Sequence, residues 1–327
     1  MRIIQIRTAN ERRVAVVEEP RLKLLDKTAP SVYSLAREAL ASGCSLTTTV
    51  ERWMGTESLD YDDVYQGRSA WRILPAADHP QEPARCLVSG TGLTHRASAE
   101  NRTAMHESAA VQMTDSMRMY QSGVEGGRPV AGEIGVQPEW FYKGNGRILC
   151  GHGDALNLPA YAWDGGEEPE IAGIYLISDT GEPLRLGFAI ANEFSDHRME
   201  KANYLYLAPS KLRNCAIGPE LSIGNFAFDD VPGRVAILRG SDVLWQKEIR
   251  SGGKNMCHSL ENLEHHHFKY AEHRQPGDMH VHFFGASAFS FGDGLTLEQS
   301  DVMEVAFPLL GRPLRNVLNV CKRPERL

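Results

Sequence analysis

The stretch from residue 168 to 195 constrains the fold most. Residues 168–177 are apolar and β-branched, Asp179-Thr180-Gly181 carries turn chemistry, and 184–191 alternate, which together predict a β-hairpin. Side chains two apart on a strand share a face, so Glu168 and Glu170 point the same way. On the return strand Leu184, Leu186, Phe188 and Ile190 mark one face; Arg185, Gly187, Ala189, Ala191 and Glu193 mark the other. Glu193 thus ends a row of mostly small residues, with room expected above them. Two carboxylates on one strand and a third on its neighbour suit a hard divalent cation. Mg2+ takes octahedral oxygen ligands at about 2.1 Å and keeps positions open for water or substrate. The alternative from spacing alone is an exposed hairpin face bearing ordinary solvated charges.

Composition bounds the rest. A chain of 327 residues can bury a sizeable core as one large domain or two smaller ones. Apolar content of 42% and a mean hydropathy of −0.34 are those of a globular chain, and no run approaches the ~18 apolar residues of a membrane-spanning helix. Residues 1–7 lack the apolar core and cleavage site of a signal peptide, and the six cysteines form no C-x-x-C. A cytoplasmic protein with reduced thiols is expected. A net charge of −7 and a pI near 6.0 argue against a nucleic-acid footprint. An anionic substrate would need a local positive site: a metal, Lys or Arg.

Along the chain, strands are expected at 2–7, 13–18 and 21–25, then a helix over 31–42 with Ser31 as N-cap, Gly43 as stop and one apolar face of Val32, Leu35, Ala36 and Leu40. The three prolines of 74–83 mark the best boundary, dividing the chain into 1–83 and 84–327. A strand over 86–94 runs out at Gly90-Thr91-Gly92, and His95 follows. Residues 96–121 are helix-like; the glycine-rich 123–135 is read as a lid or as a surface excursion. Further strands are expected at 233–238, 242–247, 279–284 and 301–307, with a helix over 259–270. Many short strands and few helices predict a β-rich α+β fold, away from alternating βαβ units.

Nucleotide-binding loops and the G-x-S-x-G elbow are absent, and Ser195 is expected to cap a turn. His265-His266-His267 cannot converge on one ion, because consecutive helical residues point about 100° apart. His280 and His282 share a strand face and are expected to be a hydrogen-bonded, partly buried pair, with zinc the weaker reading. Gly144-Asn145-Gly146 is a turn on bare sequence, Lys143 and Lys211 are surface lysines by default, and His95 is either a general base or a structural residue beside a turn.

A resemblance sharpens these readings. Glu168-Pro169-Glu170-Ile171-Ala172, followed by Gly187-Phe188-Ala189-Ile190-Ala191-Asn192-Glu193-Phe194-Ser195, resembles the metal-binding core of the fumarylacetoacetate hydrolase superfamily, in which a Glu-x-Glu strand precedes G-Y-x-x-x-N-D-x-S. Pro138-Glu139-Trp140-Phe141-Tyr142-Lys143 resembles its P-x-x-F-x-K segment. Lys211, with Gly218-Pro219 after it, stands where the family has an active-site Lys. Pro276-Gly277-Asp278 leading to Gly285, and 309–318 at the closing strand, also resemble the family in order. The likeness covers residues 86–327. Two positions depart: Glu193 stands where Asp is usual, and Phe284-Gly285-Ala286-Ser287 replaces T-G-T-P. With the long insertion after His95, they resemble the sugar-acid dehydratase branch.

The resemblance implies a mixed β-roll preceded by a small α+β domain, and a homodimer. It implies Mg2+ or Mn2+ on Glu168, Glu170 and Glu193, with the substrate near Lys143, Gly144, Lys211, Gly285, Ala286 and Ser287. His95 becomes the general base; the family's partner Glu three residues on is Ser98 here, so Glu100, ahead of Glu107, is expected to orient the ring. The implied reaction is dehydration of a small-molecule 2-keto acid, a 2-keto-3-deoxypentonate, to 2,5-dioxopentanoate, with no nucleic acid or membrane partner. An acylpyruvate or diketo-acid hydrolase or decarboxylase, and a non-enzymatic binding protein, are the alternatives.

Overall fold

The computed structural model describes residues 1–96 and 114–322. Among the described residues, seventeen strands are numbered in chain order: β1 (Arg2–Arg7), β2 (Arg12–Glu18), β3 (Arg21–Leu25), β4 (Met54–Asp60), β5 (Arg72–Ile73), β6 (Cys86–Gly90), β7 (Phe141–Asn145), β8 (Leu149–Cys150), β9 (Ala155–Leu158), β10 (Pro169–Ile177), β11 (Pro183–Asn192), β12 (Cys215–Ile223), β13 (Val231–Arg239), β14 (Asp242–Ser251), β15 (Met279–Phe283), β16 (Val302–Ala306) and β17 (Leu314–Val320). They form two sheets. The larger runs β4-β3-β2-β1-β12-β11-β10-β15-β6-β7, with β5 beside β1 and β8 beside β12; the smaller runs β14-β13-β16-β17-β9. Most pairings are antiparallel, but β15 with β6, β12 with β8 and β17 with β9 are parallel. The β-rich mixed fold expected from the sequence is the one observed.

The expected hairpin is β10 and β11, with Glu170 opposite Ala191 and Pro169 opposite Asn192. All nine residues of β10 are buried, as befits a strand covered on both faces. Ala172 and Ile174 pack into one core, with Ile3, Val32, Ile217 and Val281. Ile171, Phe188 and Ile190 pack into a second, with Val235, Phe284 and Leu314. The expected faces of β11 need one correction. The register slips between Ile174 and Tyr175, where Ile174 meets Gly187 but Tyr175 meets Arg185. Leu186 is the extra residue of a bulge, and it packs into the first core with Ala189 and Ala191, opposite Phe188 and Ile190. Nor is there open room above Ala189 and Ala191, which are fully buried against that core.

The expected helix forms over Val32–Ser42. Ser31 caps it through the Ser34 N–H, Ser34 reciprocates, and Gly43 ends it at φ 66°. Such a cap contributes about 1 kcal/mol. Residues 1–83 extend the large sheet: Arg2 and Ile3 of β1 pair with Ser222 and Leu221 of β12.

The glycine-rich stretch 123–135 begins in a helix and continues as an exposed excursion over 130–134. The helix Asp115–Gly126 takes in Gly123 and Gly126. A Cβ on Gly123 would lie 2.7 Å from His258 Nε2, and one on Gly127 only 2.4 Å from the Cys257 carbonyl oxygen. These glycines permit close packing. Residues 127–136 are then tied to the helix Leu260–Phe268 and the residue before it: Ser259 N–H to Gly127 O at 2.9 Å, Gly135 N–H to Asn262 Oδ1 at 2.9 Å, and Asn262 Nδ2 to Val136 O at 3.0 Å.

Candidate metal centre

The ends of several central strands meet at one edge of the large sheet. β10 begins there and β11 ends there; β15 and its parallel neighbour β6 end there; β7 starts there. Glu168 immediately precedes β10, Glu170 is its second residue, and Glu193 immediately follows β11. One carboxylate oxygen of each lies within 4.8 Å of those of the other two, the one such cluster among the described residues. They are 6%, 1% and 0% exposed, which rules out the solvated hairpin face.

Two ammonium groups hold this cluster. Lys211 Nζ, at the end of the short helix Leu207–Lys211, lies 2.6 Å from Glu168 Oε1, 2.7 Å from Glu193 Oε2, 3.0 Å from Ser195 Oγ and 3.1 Å from Glu200 Oε1. Lys143 Nζ, from β7, lies 2.5 Å from Glu193 Oε1 and donates to the carbonyls of Phe194 (2.9 Å) and Lys211 (3.0 Å). Neither is a surface lysine. Three acceptors saturate the Lys143 ammonium, so its work is to hold Glu193 and the turn after it. That turn is strained, with Phe194 at φ 24°; a second strained residue, Leu93 at φ 54°, lies in the segment after β6.

Glu170 has no lysine. Its Oε2 accepts the Gly285 N–H at 2.6 Å. Burial, and then the charges of Glu193 and Glu168, push its carboxyl well above the usual range. Burial likewise pushes Glu193 up to about 7 despite both lysines. Burial also acts upward on Glu168, but Lys211 and His197 outweigh it and hold that carboxyl well below the usual range. Among the described residues, four buried carboxylates, counting Glu200, face two ammonium groups. Buried charge of this sign must be neutralised, and the all-oxygen donor set fits a hard divalent cation such as Mg2+ or Mn2+.

His95 joins through Thr94. Thr94 Oγ1 donates to the Phe284 carbonyl at 2.6 Å and lies 2.9 Å from His95 Nδ1. With its one proton spent on Phe284, the hydroxyl accepts from Nδ1–H, which leaves His95 Nε2 a bare lone pair. That atom is buried with no partner among the described residues, and burial pushes the ring down to about 4. Gly285, at φ 96°, is pressed against Thr94, where a Cβ would lie 2.1 Å from Oγ1. Thr94 and Glu170 thus grip the two sides of the Phe284–Gly285 peptide.

No family model and no curated protein sequence matches this chain. Solved structures do. A 2-keto-3-deoxy-D-arabinonate dehydratase in its apo form matches with a TM-score of 0.72 at 17% identity, over 99% of this chain and 100% of the other. The same enzyme complexed with magnesium and 2,5-dioxopentanoate matches at 0.70 and 18% identity, with the same coverage. A 5-carboxymethyl-2-hydroxymuconate delta-isomerase from Mycobacterium smegmatis matches at 0.59 and 17%, over 99% of this chain and 100% of that one. The chain has the fumarylacetoacetate hydrolase fold.

On this fold Glu168, Glu170, Glu193, Lys143, Lys211 and Gly285 come together, with His95 one residue beyond a side chain that contacts Gly285. Ala286 is buried and Ser287 half-buried in the loop that follows. Gly144 is a ladder residue: it pairs with Val88, and the side chain of Ile148 fills the space beside its Cα. Ser98, Glu100 and Glu107 lie outside the described residues. Ser195, expected to cap a turn, instead donates to Glu193 and accepts from Lys211, and the cap of the helix that follows is Asp196. His280 and His282 are hydrogen-bonded as expected but are fully rather than partly buried, His280 bonding His267 at 2.9 Å and His282 the hydroxyls of Ser89 and Thr91. Among 265–267 only His267 reaches them, and His266 instead meets the Gly135 carbonyl.

Two residues of the site were not read from the sequence. His197 and Glu200 lie on the helix His197–Ala202, capped by Asp196. The signal available was that cap directly after Ser195, but a His and a Glu on a six-residue polar helix look like surface residues.

Proposed function

We propose that this chain is a Mg2+- or Mn2+-dependent hydro-lyase that converts a 2-keto-3-deoxypentonate to 2,5-dioxopentanoate and water. The observation that carries the reading is the buried Glu168, Glu170 and Glu193 set, neutralised in part by Lys143 and Lys211, on a fold shared with a dehydratase whose structure contains magnesium and that product. Glu168, Glu170 and Glu193 would hold the divalent cation, which would supply Lewis acidity to an α-keto acid and so acidify the protons on C3. His95 is the base for a C3 proton: its Nε2 lone pair has no partner among the described residues, its Nδ1 proton is pinned to Thr94, and burial keeps it unprotonated at neutral pH. Lys143 and Lys211 hold Glu193 and Glu168 in place and supply fixed positive charge beside the developing enolate. Glu170, anchored by the Gly285 N–H, keeps the 284–287 loop against the site. The protein is expected to work as a homodimer in the cytoplasm; no described helix is long and apolar enough to cross a membrane.

The test is product identification on 2-keto-3-deoxy acids and acylpyruvates, with Mg2+ and with EDTA. Semialdehyde formation, read by a coupled dehydrogenase, should require the metal and far exceed acetylpyruvate cleavage. Efficient acetylpyruvate cleavage without semialdehyde would replace the lyase reading with the hydrolase one. No turnover, and no thermal shift with Mg2+ and oxalate, would leave a binding protein.

A further inference from the structure

His197 is a buried imidazole outside the set of metal-binding carboxylates and lysines, and every side of it is occupied. Its Nε2 lies 3.2 Å from Glu168 Oε1, the same oxygen that Lys211 approaches at 2.6 Å. The ring stacks on Phe289, centroids 4.9 Å apart and planes within 14°, and tilts against Phe291 at 5.3 Å. Its Nδ1 edge faces Gly166, where a Cβ would come within 2.7 Å, and that nitrogen has no hydrogen-bond partner among the described residues. Gly166 is itself held by a two-way bridge to Ser195, with both N–H···O distances 3.0 Å. A proton on Nδ1 alone would leave a buried donor unpaired and the Nε2 contact without one, so the geometry selects the tautomer that donates from Nε2.

We infer that His197 is a positioning residue for the metal centre, fixing Glu168 so that one of its oxygens is spent on His197 and Lys211 and the other is kept for the cation. This rests on the metal reading above. The physical reason is rotational. A carboxylate held by one ammonium can swing, whereas two donors from different elements fix its plane. Lys211 comes from the helix Leu207–Lys211, and His197 from the first turn of His197–Ala202. His197 also ties Glu168 to the 285–291 loop through Phe289, and the neighbouring Ser290 binds Glu167 at 2.6 Å through its N–H and 3.0 Å through its hydroxyl. The loop whose Gly285 anchors Glu170 is therefore clamped at its other end against the partner of Glu168.

The test separates the hydrogen bond from the stack. His197→Phe keeps an aromatic face for Phe289 and removes the donor. His197→Gln places an amide nitrogen at about the reach of Nε2 and removes the ring. Calorimetric titration of the full-length proteins with MgCl2 should show affinity falling about 10- to 100-fold in His197→Phe and staying within about 3-fold in His197→Gln, with melting temperatures in EDTA showing that both fold. Mg2+ affinity at the wild-type level in His197→Phe, or an equal loss in both variants, overturns the positioning role and leaves the metal reading standing. Absence of Mg2+ binding by the wild-type protein overturns the metal reading, and this role with it.

Discussion

Glu170 is the residue whose environment most requires a cation. It lies 1% exposed between two other carboxylates and has one neutral donor among the described residues, the Gly285 N–H. Glu170→Gln keeps an acceptor for Gly285 and removes the charge. Mg2+ affinity should fall by at least about 100-fold, since one of three charged ligands is lost, while the melting temperature in EDTA should not fall, because a buried like-charge contact is relieved. Calorimetry with and without Mg2+ checks both. Near-normal turnover of this variant at limiting Mg2+ would place the site elsewhere. The three glutamates were legible because strand periodicity and motif order act within a few residues. The work of Lys143 was legible only as a position: nothing local says that its three donors are spent on Glu193, Phe194 and Lys211. His197 was illegible because its partners, at 168 and 289, approach it only in the folded sheet.

At the scale of elements, β15 and the helix Leu260–Phe268 build a histidine core. His267 stacks on His282 at 4.3 Å, accepts from Trp140 Nε1 at 3.1 Å and meets His280 at 2.9 Å; His273 Nδ1 meets the His267 carbonyl at 2.6 Å. Phe268, Tyr270, Phe284, Ser89 and Thr91 also face it, and none of them carries a carboxylate or a basic group. Burial, and then the neighbouring histidines, push His280 and His282 down to about 3 from an ordinary 6.5. The sign follows: the unfolded chain takes up these protons near 6.5 while the folded chain refuses them until about 3. Their contribution is thus intact above about 6.5 and is lost progressively as pH falls through that window. Each histidine contributes up to about 1.4 kcal/mol per pH unit there. Denaturant midpoints should fall steeply from pH 7 to pH 5, and His280→Phe should flatten the slope. An unchanged slope in that variant would remove His280 from the account. The hairpin and the capped helix over 32–42 were legible from local pattern. The bulge at Leu186 was not, because a one-residue slip leaves composition untouched. The packing role of Gly123 and Gly127 was not legible, because a glycine needed for contact with Cys257 and His258 looks, in sequence, like any other glycine of a loop.

At the scale of the molecule, the parallel pairing of β15 with β6 joins residues about 190 apart, Met279 to Cys86, and it brings His95 and Gly285 to one place. No periodicity carries such a pairing, so the edge where the strands meet came only from the resemblance. The large sheet and one core both cross the boundary expected near residue 83. β1 covers the far half of β12, and Ile3, Val14, Val16, Val32 and Leu35 share one core with Ile217, Leu221 and Ile223. Glu220, fully buried, depends on both sides of the boundary: it meets Arg2 Nη1 and the Tyr61 hydroxyl, each at 2.8 Å, and the Arg312 N–H at 3.0 Å. Arg312 reaches back again, to Asp62 at 2.7 Å and over the Tyr61 ring at 3.8 Å. Without residues 1–83, β12 would present an open edge, the core would lose one wall, and Glu220 would keep a buried charge without Arg2 or Tyr61. The intact chain should therefore melt in a single calorimetric transition with equal calorimetric and van't Hoff enthalpies, and the fragment 84–327 should be insoluble or fail to bind Mg2+. Two separable transitions, or a soluble 84–327 fragment that binds Mg2+ with full affinity, would show that the first 83 residues are an independent unit and that the shared sheet contributes little to holding the metal edge together.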